Sequence, residues 1–146
     1  MPNPPFQIAG LDHIVLRVRD RDRMLAFYCG VLGCALEREQ AAIGLTQIRA
    51  GRSLIDLVTI DGKLGRMGGA APGAEGRNLD HFCLTIDAYD EQALRAYLTA
   101  HGVAVGESGQ RYGAEGEGPS LYVRDPEGNV IELKGTLGPS ARTEAR

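Results

Sequence analysis

Two histidines and two carboxylates stand at matching places in a repeated pattern, and together they make a plausible ligand set for a divalent metal. His13 follows Leu11 and Asp12, and His81 follows Leu79 and Asp80; each opens a stretch of alternating apolar residues. Ile14, Leu16 and Val18 in the first copy, and Phe82, Leu84 and Ile86 in the second, put apolar side chains on one face, the period of a half-buried strand. The opposite face carries His13, Val15 and Arg17, then His81, Cys83 and Thr85. The same parity applied to residues 54–58 and 130–134 turns Asp56 and Glu132 to that opposite face. His13, Asp56, His81 and Glu132 are therefore expected there, two from each copy. Two neutral imidazoles and two carboxylates, with positions left for water or substrate, suit Ni, Zn, Co, Mn or Fe(II), and nothing in the set selects among them. Burying four such groups without a shared partner would be costly. Asp56, the shorter carboxylate, reads as a direct ligand, a base or an outer group that orients a ligand. Arg17 reads either as a salt-bridge partner of a site acid or as a grip on a substrate carboxylate or phosphate. Cys83 and Thr85 line the same face as candidate substrate contacts.

These side chains need elements to hold them. Asp20 or Asp22 can cap a helix in which Met24, Leu25, Phe27, Tyr28, Val31 and Leu32 recur at three- and four-residue steps before Gly33 closes it. Residues 34–39, 45–49 and 53–60 read as three short strands parted by Gly44 and Gly51. The first module is thus β-α-β-β-β over residues 8–61. Residues 62–77, rich in glycine from Gly62 to Gly76, carry no periodicity and read as a linker or mobile loop. The second module, residues 78–135, repeats the order: a strand at 79–86, a helix capped by Asp87 or Asp90 with Leu94, Tyr97 and Leu98 inward, then strands at 103–107, 120–123 and 129–134. Asp125-Pro126-Glu127-Gly128 suits a tight turn between the last two. Residues 111–119 read as a second flexible loop, with Arg111 at its start as a further substrate contact. His101 near a helix C-terminus is explained by the dipole there, and Tyr28 and Tyr97 are expected in the core. Each half should bury its sheet only with its twin.

A chain of 146 residues suffices for one compact unit. Lys and Arg number 16 against 19 Asp and Glu, for a net charge of -3, and the basic residues are scattered. That balance argues against nucleic acid or an anionic membrane as partner. Residues 1–10, holding three of the seven prolines, read as an irregular arm without the apolar run of a signal peptide. No stretch approaches the roughly 18 apolar residues of a membrane span, so a cytoplasmic protein is expected. Cys29, Cys34 and Cys83 are odd in number and lack CxxC spacing, which fits reduced thiols rather than a disulfide framework.

The paired modules, the Leu-Asp-His strands, the helix with Phe27-Tyr28-Cys29-Gly30-Val31-Leu32-Gly33 and the closing Leu121-Tyr122-Val123-Arg124-Asp125-Pro126-Glu127-Gly128-Asn129-Val130-Ile131-Glu132-Leu133 resemble the vicinal oxygen chelate superfamily. That group includes glyoxalase I, extradiol dioxygenases and fosfomycin and bleomycin resistance proteins. The resemblance, over roughly residues 8–135, implies an α+β fold: a cup-shaped, eight-stranded mixed sheet around one divalent ion, commonly completed between the chains of a homodimer. It implies His13, His81 and Glu132 as ligands, with Asp56 where glyoxalase I has Glu, and Arg17 where that enzyme binds a glutathione carboxylate. The leading expectation is glyoxalase-like lyase or isomerase chemistry on a small vicinal-oxygen substrate, such as a thiol adduct, with Glu132 as base and Asp56 its partner. The alternatives are an extradiol-type dioxygenase, a fosfomycin-type resistance enzyme and a metal-free drug-binding protein of the bleomycin-resistance kind.

Overall fold

The alternation around each histidine resolves into two four-stranded sheets of one topology. The computed structural model describes residues 3–136, so the first two residues of the expected arm lie outside it. In module one, β1 (His13–Val18) runs parallel to β4 (Ser53–Thr59), which continues antiparallel through β3 (Leu45–Ala50) to β2 (Ala35–Gln40). Module two repeats this with β5 (Phe82–Ile86) beside β8 (Val130–Gly135), then β7 (Gly116–Arg124) and β6 (Ala104–Gly113). The α+β class and the eight strands follow the expectation, with the strands divided between two mixed sheets.

The helices begin where a side chain can satisfy their free N–H groups. Asp20, not Asp22, caps α1 (Arg21–Leu25) by accepting from the Arg23 amide at 3.0 Å. A π-helical turn, Ala26–Val31, extends α1 and carries the buried Phe27 and Tyr28. Asp90, not Asp87, caps α3 (Glu91–Ala100) by accepting from the Ala93 amide at 3.0 Å. The short α2 (Lys63–Arg66) lies inside the stretch expected to be irregular. Gly65 makes it possible, because a Cβ there would overlap the Thr59 carbonyl.

Two further expectations are corrected. Residues 111–119 are not a flexible loop but the heart of the β6–β7 hairpin, in which Arg111 pairs with Gly118 and Gly113 with Gly116. Its glycines suggested irregularity, yet Gly116 at φ 98° supplies the conformation the tight turn needs. Tyr97 is not core: it is 44% exposed, and its hydroxyl donates to the Val31 carbonyl across the modules at 2.7 Å.

The modules share one core. Leu16, Val18, Met24, Phe27, Tyr28, Ile48, Ile55 and Leu57 from the first pack with Leu98, Leu121, Val123, Ile131 and Leu133 from the second. A polar lock reinforces it. Tyr28 donates to Asp125 Oδ2 at 2.7 Å, while the other oxygen of Asp125 accepts the Glu127 and Asn129 amides at 2.8 and 3.0 Å. Burial first, and then the Asp125 charge, raise the Tyr28 pKa well above its ordinary value, so the phenol keeps its proton and stays a donor. Glu127 in turn accepts the Arg19 amide on both carboxylate oxygens at 2.7 and 2.9 Å and the Asp20 amide at 2.8 Å. Because the helices and the inner faces of both sheets meet in this core, the faces bearing the candidate ligands look away from it.

Candidate metal centre

Each sheet presents one histidine–carboxylate pair. His13 Nε2 lies 3.9 Å from Asp56 Oδ2, and His81 Nε2 lies 3.3 Å from Glu132 Oε1. The parallel registers make the pairs equivalent: Asp56 sits beside Val15 and Glu132 beside Cys83, each two residues beyond the histidine. Both imidazoles are oriented by their predecessor in the chain. His13 Nδ1 donates to Asp12 Oδ1 at 2.7 Å and His81 Nδ1 to Asp80 Oδ2 at 2.5 Å, which leaves Nε2 turned to the carboxylate. The hydrogen bond to Asp12, followed by the Asp56 charge, raises the His13 pKa above its usual value. The bond to His81 lowers Asp80 against a smaller opposing effect of burial, and the His81 and Arg77 charges add to it.

The carboxylates are buried although they belong to the outer faces. Asp56, 5% exposed, accepts from the Gln47 amide group at 3.2 and 3.3 Å. Glu132, 6% exposed, accepts from Ser120 Oγ at 2.6 Å and from Tyr122 Oη at 3.1 Å. Burial alone would raise the Glu132 pKa; the bonds from Ser120 and Tyr122, the His81 charge and the Cys83 thiol together outweigh it and hold the carboxyl below the usual range. Cys83 is pushed up to about 11 by desolvation first and then by the Glu132 charge, with Lys134 pulling the other way. It is a thiol at neutral pH, not a nucleophile.

The remaining expected contacts divide. Cys83 and Thr85 line a groove of about 1120 Å3 between the modules, which His13 and His81 also border. Arg111 lies on the ligand-bearing face of module two, its guanidinium 5.6 Å from the centroid of the Tyr122 ring. Arg17 makes no salt bridge among the described residues. Its guanidinium donates to the carbonyls of Gly69 at 3.1 Å and Ala70 at 2.8 Å, clasping the linker, while Arg19 donates to Pro72 at 2.8 Å. Arg17 nonetheless borders a cavity of about 420 Å3 with Asp56, Val15, Val58, Arg77 and Asn78.

Imidazole nitrogen and carboxylate oxygen, with aspartates fixing the imidazoles, form a donor set that fits a divalent ion. Among the described residues of one chain, however, no three such groups converge. Each face supplies two donors and stops. Asp12 and Asp80 were visible in the repeated Leu-Asp-His but had no role until their carboxylates were seen on the imidazoles. Ser120, Tyr122 and Gln47 gave no sequence signal, because their part depends on cross-strand register.

Comparison with known proteins agrees with this topology. The description Glyoxalase/Bleomycin resistance protein/Dioxygenase superfamily matches residues 10–133. An integron cassette protein from the mobile metagenome of V. cholerae is 28% identical, with a TM-score of 0.67 over 90% of this chain and 98% of its own. A lactoylglutathione lyase from Agrobacterium tumefaciens shares the fold at 20% identity and TM-score 0.60, covering 91% of this chain and 96% of its own. A genomically encoded fosfomycin resistance protein from Listeria monocytogenes does so at 19% identity and TM-score 0.65, covering 93% of this chain and 99% of its own.

Proposed function

This chain belongs to the Glyoxalase/Bleomycin resistance protein/Dioxygenase superfamily, and from that premise we propose that it is a metal-dependent lyase or isomerase acting on a small substrate with adjacent oxygens. The observation that carries the reading is the repeated pair, His13 with Asp56 and His81 with Glu132, each imidazole clamped at Nδ1 so that Nε2 is free to ligate. His13, His81 and Glu132 would hold one divalent ion, with Asp56 as a fourth candidate donor. Since one chain brings only two donors to each face, the set is completed in a homodimer, module one of one copy meeting module two of the other.

When bound, a divalent ion held by these residues would supply Lewis-acid stabilisation of negative charge on adjacent substrate oxygens. The protein supplies the proton transfer. Glu132 was the base expected from the sequence. Its hydrogen bonds from Ser120 and Tyr122 hold it ionised, which favours the ligand role and weakens it as a base. Asp56 is the less tightly bonded carboxylate, held by the longer contacts from Gln47 and by His13 at 3.9 Å, and it borders the cavity of about 420 Å3. In this reading Asp56 takes the proton from one carbon and returns it to the next. No atom is gained or lost, the outcome of an isomerisation.

Elemental analysis of protein purified without added metal is the test. One Ni, Zn, Co or Mn per site, lost in His81→Ala, is the expected result and leads to hemithioacetal isomerisation assays. Fe(II) with oxygen uptake on catechols would replace this reading by the dioxygenase one. Failure to bind any metal after reconstitution would leave a metal-free binding protein.

A further inference from the structure

The glycine-rich segment between the modules is fixed at both ends and, between them, is held by arginine side chains alone. Near its start Gly65 packs on the Thr59 carbonyl at the end of β4. At its end Asn78 accepts from the Arg17 amide at 3.2 Å and donates to the Arg17 carbonyl at 3.0 Å and to Asn129 Oδ1 at 3.1 Å, so it is tied to both modules. Across residues 69–72 three hydrogen bonds are made among the described residues. Arg17 donates to the carbonyls of Gly69 and Ala70, at 3.1 and 2.8 Å, and Arg19 to that of Pro72 at 2.8 Å. A stretch so rich in glycine and so sparsely bonded opens at low cost once those donors let go.

The segment walls the cavity beside Asp56. That cavity is floored by the outward face of β1, β3 and β4, and Gly68 and Asn78, from the two ends of the segment, stand at its sides. Gly68 lies against the Arg17 side chain: a Cβ there would stand 2.5 Å from Nη1, so only a glycine lets the backbone come down onto the guanidinium. Gly69, at φ 78°, then turns the chain through the left-handed region, and the successive carbonyls of Gly69 and Ala70 meet the two ends of one planar fork. Sequence, turn and clasp agree on one closed position.

We propose that residues 67–76 are a lid on the Asp56 cavity, latched shut by Arg17 and Arg19, and that Arg17 in this chain positions the lid rather than gripping a substrate anion. This deepens the reading of the preceding subsection and rests on it, because the group the closed lid shields from water is Asp56, the proton carrier of that reading. Opening breaks three guanidinium–carbonyl bonds and nothing in the sheet. The Arg17 main chain stays paired with Asn78, so β1 and the cavity floor keep their places while the segment swings between its two anchors.

The test uses metal-free full-length protein. Backbone amide relaxation measured by NMR should show Gly69, Ala70 and Gly73 as ordered as β1 in the wild type and mobile in Arg17→Gln and Arg19→Gln. Access to the cavity is read in parallel by carbodiimide coupling of Asp56 to glycine ethyl ester, with the modified residue located by mass spectrometry. The Asp56 rate is expected to rise about tenfold in Arg19→Gln, the weight of one hydrogen bond from a charged group, and further in Arg17→Gln, which loses two. Arg19 does not border that cavity, so its variant reports the latch and not a hole left by a smaller side chain. Glu132, on the other sheet, should react at the wild-type rate in both. Equal Asp56 rates in wild type and Arg19→Gln, a rise at Glu132 as large as at Asp56, or a segment already mobile in the wild type overturns the lid. Absence of Mn2+ binding in the wild type would instead count against the metal reading alone, since none of these measurements uses an ion.

Discussion

An imidazole can offer a metal only the nitrogen that its other partners leave free, and here the neighbour in the chain decides which. Asp12 and Asp80 hold Nδ1 of His13 and His81. Removing that hold while keeping the ligand should cost about 10- to 100-fold in metal affinity, so Asp80→Asn is expected to retain stoichiometry but raise the dissociation constant in a Mn2+ or Zn2+ titration. Protonation acts on the same residues. Because His13 is raised in the folded protein, its proton competes with a metal to higher pH than for a free histidine, and metal affinity should still be climbing above pH 6.5. Glu132 works in the opposite sense. Its folded pKa is depressed, so the stability it contributes is present above the unfolded value of 4.5 and is lost as pH falls through the folded value. Denaturant midpoints of metal-free wild type measured from pH 7 to pH 3 should fall more steeply in acid than those of Glu132→Gln. At this scale His13, Asp56, His81 and Glu132 were legible as paired outer-face residues because a repeat doubled a weak signal. The carbonyl partners of Arg17 were not, since an arginine on that face reads as the partner of an acid or an anion until the linker is seen against it.

Glycine had two meanings among the elements, and sequence alone did not separate them. Where Gly113, Gly116 and Gly118 suggested a loop, they form a hairpin whose backbone is bare so that Lys134 can cross it. Where Gly65 suggested a linker or mobile loop, it lets α2 lie against the end of β4. Gly65→Ala should therefore destabilise the fold by about 1–3 kcal/mol, the range for overpacking a closed contact. A chemical denaturation midpoint measures it. Gly73→Ala, with nothing near its would-be Cβ, is the matched control. The strands and the two longer helices were legible from period and caps, because alternation and an aspartate before an apolar run are local properties. The hairpin and α2 were not, because what distinguishes a turn glycine from a packing glycine is a contact distant in sequence.

At the scale of the molecule, the shared core and the Tyr28–Asp125 lock turn both ligand faces outward. If sites form between copies, mixing two inactive variants should restore function. A heterodimer of His13→Ala and His81→Ala chains has one site lacking both histidines and one site lacking neither. Unfolding and refolding the two variants together should therefore recover metal binding that neither shows alone, whereas sites built within one chain would recover none. The pairing of modules could be read from the repeat, but their mutual orientation could not. It depends on Tyr28, Asn78, Asp125 and Glu127, polar residues scattered along the sequence and without periodicity.

The two-donor face has a consequence for mass action. A chain that can give a metal only two protein ligands holds it weakly, and a partner that supplies the others is itself held by the metal. If the proposed site does form between copies, metal and second subunit are linked ligands: each would tighten the other by the same factor, and dilution of the protein would release the ion as surely as a chelator does.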